Sequence, residues 1–117
     1  MTIKELYLIA GGNVEEVKSR LISEENVARF AIKFLSDDSF AKLTEAMADR
    51  DIDNAFVAAH TLKGTSQNLG FVTLGQSAAE LTEILRRRTF DNAEPAFSKV
   101  KADYAALTAA IEQFAKN

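Results

Sequence analysis

The sequence predicts an all-α protein, and two observations carry this prediction. Apolar residues recur at steps of three and four along most of the chain, which is the period of a helix that buries one face. No stretch alternates strictly between apolar and polar residues as a half-buried strand does, and the chain contains only one proline. We therefore predict an antiparallel up-down-up-down four-helix bundle with additional short N-terminal helices.

The length and composition fit one domain that spans residues 1–117. A chain of 117 residues can bury a core of its own but leaves no room for a separate nucleotide-binding lobe. It contains no cysteine, which excludes disulfides and thiolate zinc sites. The formal net charge is -3 and the basic residues form no stripe, so we expect no nucleic-acid partner.

Two short helices are predicted at the N-terminus. The first runs from Thr2 to Ala10 and stops at Gly11-Gly12; it is too short and too mixed for a signal peptide or a membrane span. Asn13 and Glu16 resemble a capping pair that opens the second helix. We expect both helices to pack across one end of the bundle, and we expect the protein to be cytoplasmic.

The apolar run after Ser23 predicts the next part of the bundle. Its apolar residues share one face up to Leu35, where the polar break Ser36-Asp37-Asp38 is placed to cap a following helix. The pattern is compatible with two helices or with one kinked helix.

A helix from about Ile52 to Asn68 carries the candidate functional group. Asp51 is its predicted N-cap, and Gly70 ends it as a C-terminal glycine does. His60 is the only histidine in the chain and lies roughly 140° around the helix from the centre of the apolar stripe. We therefore predict that its imidazole points into water.

Three residues beyond His60 share its exposed face. Lys63 and Gly64 lie one turn further along the helix, and Gln67 lies two turns further along. A glycine inside a helix costs about 1 kcal/mol relative to alanine, so Gly64 indicates that local stability is given up for access to the ring.

Two further helices complete the predicted bundle. Thr73 and Gln76 form a capping-box pattern for a helix that returns antiparallel to the one with His60. The basic run Arg86–Arg88 closes that helix, and we attribute these arginines to compensation of the helix dipole. The last helix is predicted to begin near Asp91 or Asn92.

The pattern His60-x-x-Lys63-Gly64 followed by Gly70 resembles the signature of the histidine-containing phosphotransfer (HPt) domain family. The resemblance in residue identity covers Ala59 to Phe71, and the helical pattern fits the family along most of the chain. It implies a helical bundle that displays one phosphorylatable histidine to the receiver domains of response regulators.

The resemblance also implies a mechanism and partners. His60 would accept a phosphoryl group from a receiver aspartate or a histidine kinase, and then pass it to a response regulator; a hybrid histidine kinase is the implied upstream partner. Lys63 would offset charge on the phosphoryl oxygens. Phe56 and Val57 would form the apolar edge on which a receiver docks, and Leu6 and Leu8 would extend it.

In one position the chain departs from the family pattern. Many members carry a glutamine or glutamate on the following helix that contacts the histidine, and the matching residue here is Thr82. We predict that Gln67 does this work instead, by holding the ring or a bound phosphoryl oxygen, while simple solvation of Gln67 remains the alternative.

Other chemistry is excluded by what the sequence lacks. It has no glycine-rich loop for nucleotide phosphates, so we expect a phosphoryl carrier and not a kinase. A single histidine cannot supply the two Glu-x-x-His motifs of a di-iron bundle, and we expect no metal and no cofactor.

The alternative function is a helical interaction adaptor without phosphoryl chemistry, which the presence of His60 disfavours. We expect a monomer.

Overall fold

The protein is built from α-helices joined by short turns. The computed structural model describes residues 1–116, and no strand occurs among them, which confirms the predicted all-α fold. None of the helices in this range is long and apolar enough to cross a membrane. In chain order the helices are α1 (Ile3–Ile9), α2 (Val14–Leu21), α3 (Glu24–Lys33), α4 (Ser39–Ala48), α5 (Ile52–Asn68), α6 (Val72–Arg86) and α7 (Ala93–Ala115).

Contacts at both ends show that α5 and α6 run antiparallel. Asp53 in the first turn of α5 pairs at 2.7 Å with Arg88, which lies just beyond α6. At the other end, Gly75 near the start of α6 packs against Gln67 near the end of α5. A short turn between the two helices therefore places α6 directly beside the helix that carries His60.

The same geometry relates α4 to α7. Phe40 at the start of α4 stacks on Tyr104, well along α7, with ring centroids 4.0 Å apart. Arg50, just past the end of α4, lies 4.0 Å from Glu94 in the first turn of α7. Aromatic stacking thus closes the bundle on the side away from the α5 and α6 pair.

The polar break after α3 separates two helices. A 3-10 turn, Phe34–Ser36, follows α3 directly. The Asp37 carboxylate then accepts a hydrogen bond from the Ser39 backbone N–H at 2.9 Å and serves the first free amide of α4. Of the two arrangements compatible with the sequence, the structure therefore has two helices.

The observed bounds of α5 coincide with the predicted ones. The Asp51 carboxylate accepts from the Asn54 backbone N–H at 3.1 Å, which confirms Asp51 as the N-cap. Gly70 has a φ of +76°, and a Cβ there would overlap a methyl carbon of Val17. Glycine is therefore required at the end of α5 by the backbone conformation and by packing.

The cap predicted for α6 is wrong. The helix begins at Val72, so Thr73 lies inside its first turn, and the residue at the N-cap position, Phe71, makes no side-chain cap. The backbone N–H of Thr73 donates to the Ala10 carbonyl at 3.1 Å. A contact with the end of α1 thus satisfies the amide that Gln76 would have served in a capping box.

The helices α1 and α2 pack across the bundle at the C-terminal end of α5. The Tyr7 hydroxyl donates to the Leu69 carbonyl at 2.6 Å, and the Arg20 guanidinium donates to the Asn68 carbonyl at 3.2 Å. The end of a helix leaves such carbonyls without partners in the helix itself. The N-terminal helices therefore complete the hydrogen bonding of α5.

The start of α2 follows the sequence prediction in part. Asn13 is its N-cap, because its side chain accepts from the Glu15 backbone N–H at 2.9 Å. Glu16 does not close a capping pair with Asn13; its carboxylate lies 3.4 Å from the Arg20 guanidinium one turn along. The ion pair holds Arg20 on the side of α2 that faces the end of α5.

Candidate functional site

His60 lies on the exposed face of α5, as the helical pattern predicts. Its ring meets the half-buried Phe56 ring edge to face, with centroids 5.9 Å apart and the planes at 70°. Such a contact restricts how the imidazole turns without covering its nitrogens from solvent. The His60 ring is therefore exposed to solvent and packs on one side against Phe56.

One border of the histidine faces α6. It consists of Phe56, Lys63 and Gln67, which are spaced around the same side of α5. The Arg86 guanidinium of α6 stands over the Phe56 ring, 5.0 Å from its centre. The Gln67 side chain packs along Gly75 at the start of α6. The structure thus brings the predicted residues Phe56 and Lys63 next to His60 and places Gln67 further along the same border.

The other border faces α4 and α3. Val57 is 58% exposed and lines a groove of about 430 Å³ between α4 and α5. Gly64 lines a second groove of about 560 Å³, with Phe30 and Phe34 on the opposite wall. A Cβ on Gly64 would meet no atom within 4 Å. The backbone at Gly64 is therefore open to anything that approaches the ring.

Sequence reasoning missed Glu83, an exposed carboxylate of α6 that faces this site. Its pKa is held below the ordinary value, first by its hydrogen bond with Arg86 and further by the charges of Arg86, Lys63 and His60. Glu83 therefore lies within electrostatic reach of both predicted site residues on α5. Glu83 and Arg86 have the spacing of an ordinary i,i+3 surface pair, and only the packing of α6 on α5 reveals their position.

Thr82, the residue at the family's usual helper position, is fully buried. Its hydroxyl donates to the Ala78 carbonyl one turn earlier in α6 at 2.7 Å. The hydroxyl proton is thus used inside α6 and is not available to a ring nitrogen of His60.

The N-terminal residues considered for docking lie at the end of the bundle where α5 finishes. Leu6 is fully buried in the core, so it cannot form part of a docking surface. Leu8 is 69% exposed, but α1 is fixed to the end of α5 through Tyr7 and Leu69. His60 lies nine residues before Leu69, roughly 13 Å away along the helix axis.

The arrangement can support nucleophilic chemistry at an open surface. An accessible imidazole has a cation, Lys63, one turn along and an acid, Glu83, on the neighbouring helix. Among residues 1–116, no group of three or more histidine, aspartate or glutamate side chains is placed to hold a metal ion. An accessible histidine nitrogen can act as a nucleophile, and the nearby ammonium of Lys63 can offset the charge of an anionic group.

Comparison with known proteins places these features in a family. The family model described as "Hpt domain" matches residues 35–116, which begins in the 3-10 turn and includes all four bundle helices. No curated protein and no solved structure matches the chain significantly. The matched region contains His60 and every residue of its two borders except Phe30 and Phe34 of the groove wall.

Proposed function

The chain belongs to the Hpt domain family, whose members take part in phosphotransfer of two-component signalling, and from this we propose that it carries a phosphoryl group on His60. The group would come from a receiver aspartate or a histidine kinase and pass to a response regulator. The observation that carries the proposal is the exposed His60 ring beside the unobstructed Gly64 backbone, inside the matched region.

The proposed transfer is an in-line displacement at phosphorus. The lone pair of a deprotonated ring nitrogen forms the N–P bond, and the bond between phosphorus and the acyl oxygen breaks, with its electron pair leaving on the receiver carboxylate. The other ring nitrogen keeps its proton during the attack and releases it to water afterwards. The reverse reaction hands the group to a second receiver, so no nucleotide is required of this chain.

Lys63 has the place and charge to assist that displacement. Negative charge spreads over the phosphoryl oxygens in the transition state, and an ammonium one turn along the helix stabilises it. Lys63 is half-buried, so part of its aliphatic stem lies against the protein while the ammonium can stay in water. We therefore assign it an effect on transfer rate; the residue that accepts the group is His60.

Receiver docking is proposed on the two borders of the histidine. Val57 and Phe56 offer apolar surface on either side of the ring, and Gly64 leaves room for the backbone of a partner to approach. Gln67 stands at the far end of the α6 border and would contact the partner or the phosphoryl group from there. In this proposal the chain acts as a cytoplasmic monomer with a hybrid kinase and a response regulator as partners.

Transfer from a phosphorylated receiver domain tests the proposal. The chain is mixed with a receiver labelled on its aspartate, and we expect label on the chain that is lost in acid and stable in alkali, as a phosphoramidate bond is. His60→Gln should abolish the labelling and leave the melting temperature nearly unchanged, because an exposed side chain contributes little to stability. Labelling of that variant at the wild-type level would disprove the role of His60, and no labelling of either protein by a panel of receivers would favour the adaptor.

A further inference from the structure

The groove between α4 and α5 opens beside His60. Its volume is about 430 Å³, and its lining includes Val57 and Thr61, which lie one turn before His60 and directly after it. Residues one turn apart on a helix have Cβ atoms about 5–6 Å from each other. A partner that covers the His60 ring therefore also covers one opening of this groove.

The α4–α5 groove is strongly negative. Four carboxylates and one ammonium line it, which is as much negative charge as the whole chain carries, a formal -3. Two of the carboxylates are used within the protein, because Asp38 pairs with Lys42 at 3.2 Å and Asp51 caps α5. The carboxylates of Glu45 and Asp49 make no ion pair and no hydrogen bond with other groups of residues 1–116.

The surroundings of Glu45 and Asp49 leave their charge in place. The two residues lie one turn apart at the end of α4, where like charges repel and weaken a helix. The last turn of α4 carries no basic residue. Arg50 follows directly, but its guanidinium lies 4.2 Å from the centre of the Phe90 ring and 4.0 Å from Glu94. Neutralisation of these two carboxylates is therefore left to a cation from outside the chain.

A buried hydroxyl in the same groove is also unpaired. Ser39 lines the groove near the start of α4 and is 3% exposed. Its backbone N–H donates to Asp37, whereas its hydroxyl makes no hydrogen bond with another of residues 1–116. An unpaired polar group in a buried residue needs an explanation, and a ligand in the groove supplies one. The hydroxyl oxygen can accept a hydrogen bond from a cationic group there.

The arrangement of these groups favours a cationic side chain over a metal ion. In the part of the chain that the structure describes, no three carboxylates are placed to hold a metal ion. Arginine and lysine combine an apolar stem with a charged end that only donates hydrogen bonds. Val57 and Ala58 give the groove an apolar wall on α5 for such a stem, while Glu45 and Asp49 supply acceptors on α4.

We propose that the α4–α5 groove receives an arginine or lysine side chain of the receiver domain that docks on His60. The inference rests on the proposed function, because a receiver must exchange the phosphoryl group with His60. The basic side chain binds beside the transferring group and takes no part in the transfer step. The groove selects among receivers, because one that lacks this basic side chain covers two carboxylates and leaves them without a partner.

Transfer kinetics of the intact chain test the role of the groove. A double variant, Glu45→Gln with Asp49→Asn, removes both charges and keeps the size of the side chains. With the receiver that transfers fastest to the wild type, we expect KM for the phosphorylated receiver to rise on the order of tenfold and kcat to stay unchanged. Phosphorylation by potassium phosphoramidate, which needs no docking, should also stay unchanged. The wild-type KM should rise more steeply with NaCl concentration than the variant KM.

The matched control removes the same two charges elsewhere. Glu112→Gln with Asp91→Asn changes exposed residues that do not line the groove, and its KM should equal that of the wild type. A rise in KM of the same size in both double variants would show a general effect of net charge and overturn the inference. Transfer with an unchanged KM in the groove variant overturns the inference and leaves the proposed function intact. No transfer from any receiver overturns the proposed function, and the inference with it.

Ser39→Ala separates binding from stability. Its hydroxyl has no hydrogen bond to lose, so the variant should be at least as stable as the wild type, while KM for the receiver should rise by about twofold. A variant that loses stability and keeps the wild-type KM would show that the hydroxyl serves the fold and would remove it from the proposed site.

Double-mutant cycles identify the occupant of the groove. Each lysine and arginine around the phosphorylated aspartate of the receiver is changed to methionine in turn. We expect one change that raises KM with the wild-type chain and has no further effect with the Glu45→Gln, Asp49→Asn variant, as for two groups in direct contact. If the groove variant raises KM but no basic residue of the receiver is coupled to it, the occupant is a different group and the inference is overturned.

Discussion

Gly64 and Gly70 belong to the same short signature, yet they stand in opposite environments. Gly64 lies inside α5 with ordinary helical backbone, and a Cβ there would meet no atom within 4 Å. Gly70 lies just past the helix with a φ of +76°, and a Cβ there would overlap Val17 and come within 3.3 Å of the Tyr7 ring. The first glycine leaves space unfilled, and the second permits close packing.

Substitutions at the two glycines should therefore have different effects, although both glycines lie in or next to α5. Gly64 lies within α5 and a side chain there would meet no other part of the protein, so substitutions should change what can approach His60 and leave the fold intact. Around Gly70 the last carbonyls of α5 depend on Tyr7 and Arg20 from the N-terminal helices. Substitutions at that end should alter stability first and affect transfer only through the amount of folded protein.

Gly70→Ala gives the largest expected effect. An alanine in the left-handed conformation and an overlap with Val17 together should reduce the free energy of unfolding by about 3 kcal/mol. Gly64→Ala is the matched control and should increase it by up to about 1 kcal/mol, since alanine favours a helix and no atom opposes its methyl group. Urea denaturation of the two variants checks both values, and equal destabilisation would remove the distinction drawn between the glycines.

Gly64→Leu tests whether a large side chain beside His60 blocks a partner. Leucine is a better helix former than glycine, so the variant should be at least as stable as the wild type. Its side chain would stand beside His60 and keep a receiver away, and we expect transfer from a phosphorylated receiver to slow on the order of tenfold or more. Phosphorylation by phosphoramidate, a small donor, should be much less affected. Wild-type transfer in a stable Gly64→Leu variant would show that Gly64 does not serve access.

Tyr7→Phe probes the opposite end of α5. The Leu69 carbonyl loses its buried donor, so stability should fall by about 1 to 2 kcal/mol, whereas Tyr104→Phe at a half-buried ring serves as control. Burial raises the pKa of Tyr7, so the folded state holds this proton more tightly than the unfolded state does. The contribution of this pKa difference to the free energy of unfolding is fully present below the pKa of Tyr7 in the unfolded chain, about 10. It is lost as the pH rises above that value.

Denaturation at increasing pH checks this assignment. The wild type should lose stability above about pH 10, and Tyr7→Phe should show a shallower loss over the same range, because one of the groups with a raised pKa is gone. Burial also raises the pKa of Tyr104, so some pH dependence should remain in the variant. Identical alkaline slopes for wild type and Tyr7→Phe would contradict the assignment to Tyr7.

Gln67→Ala has the smallest expected effect. It tests a residue that lies between Gly64 and Gly70 on α5. Its side chain packs along Gly75, near the end of the helix, and we expect transfer to change by less than about twofold if solvation is its main role. A larger loss, together with a changed imidazole pKa followed by NMR, would show that Gln67 orients His60. Lys63→Ala is the positive control, for which a clear fall in transfer rate is expected.

Local features of the fold could be predicted from the sequence because they depend on neighbours in the chain. The bounds of α5, its cap at Asp51 and its end at Gly70 follow from periodicity and from the residue types at the helix ends. The exposure of His60 follows from the same periodicity. The capping box at Thr73 was wrong because a distant carbonyl, that of Ala10, takes the amide in question.

Features that depend on how two helices are placed together could not be predicted in this way. Leu6 and Leu8 belong to one apolar run, and only the packing of α1 decides that the first is buried and the second exposed. The position of Glu83 near His60 depends on the register of α6 against α5, which no spacing within α6 encodes. Thr82, one residue earlier, points into the core for the same reason.

The hydrogen bonds that Tyr7 and Arg20 make to the end of α5 have a consequence for dissecting this protein. The family model begins at residue 35, so the matched region leaves out α1 and α2, which make these hydrogen bonds. A fragment cut at that boundary would keep His60 and all four bundle helices, yet it would uncover Phe71, whose ring packs on Tyr7 at 5.7 Å. Amide hydrogen exchange in such a fragment should quicken first at the end of α5 and spread towards the histidine, because unfolding begins where stabilising contacts have been lost.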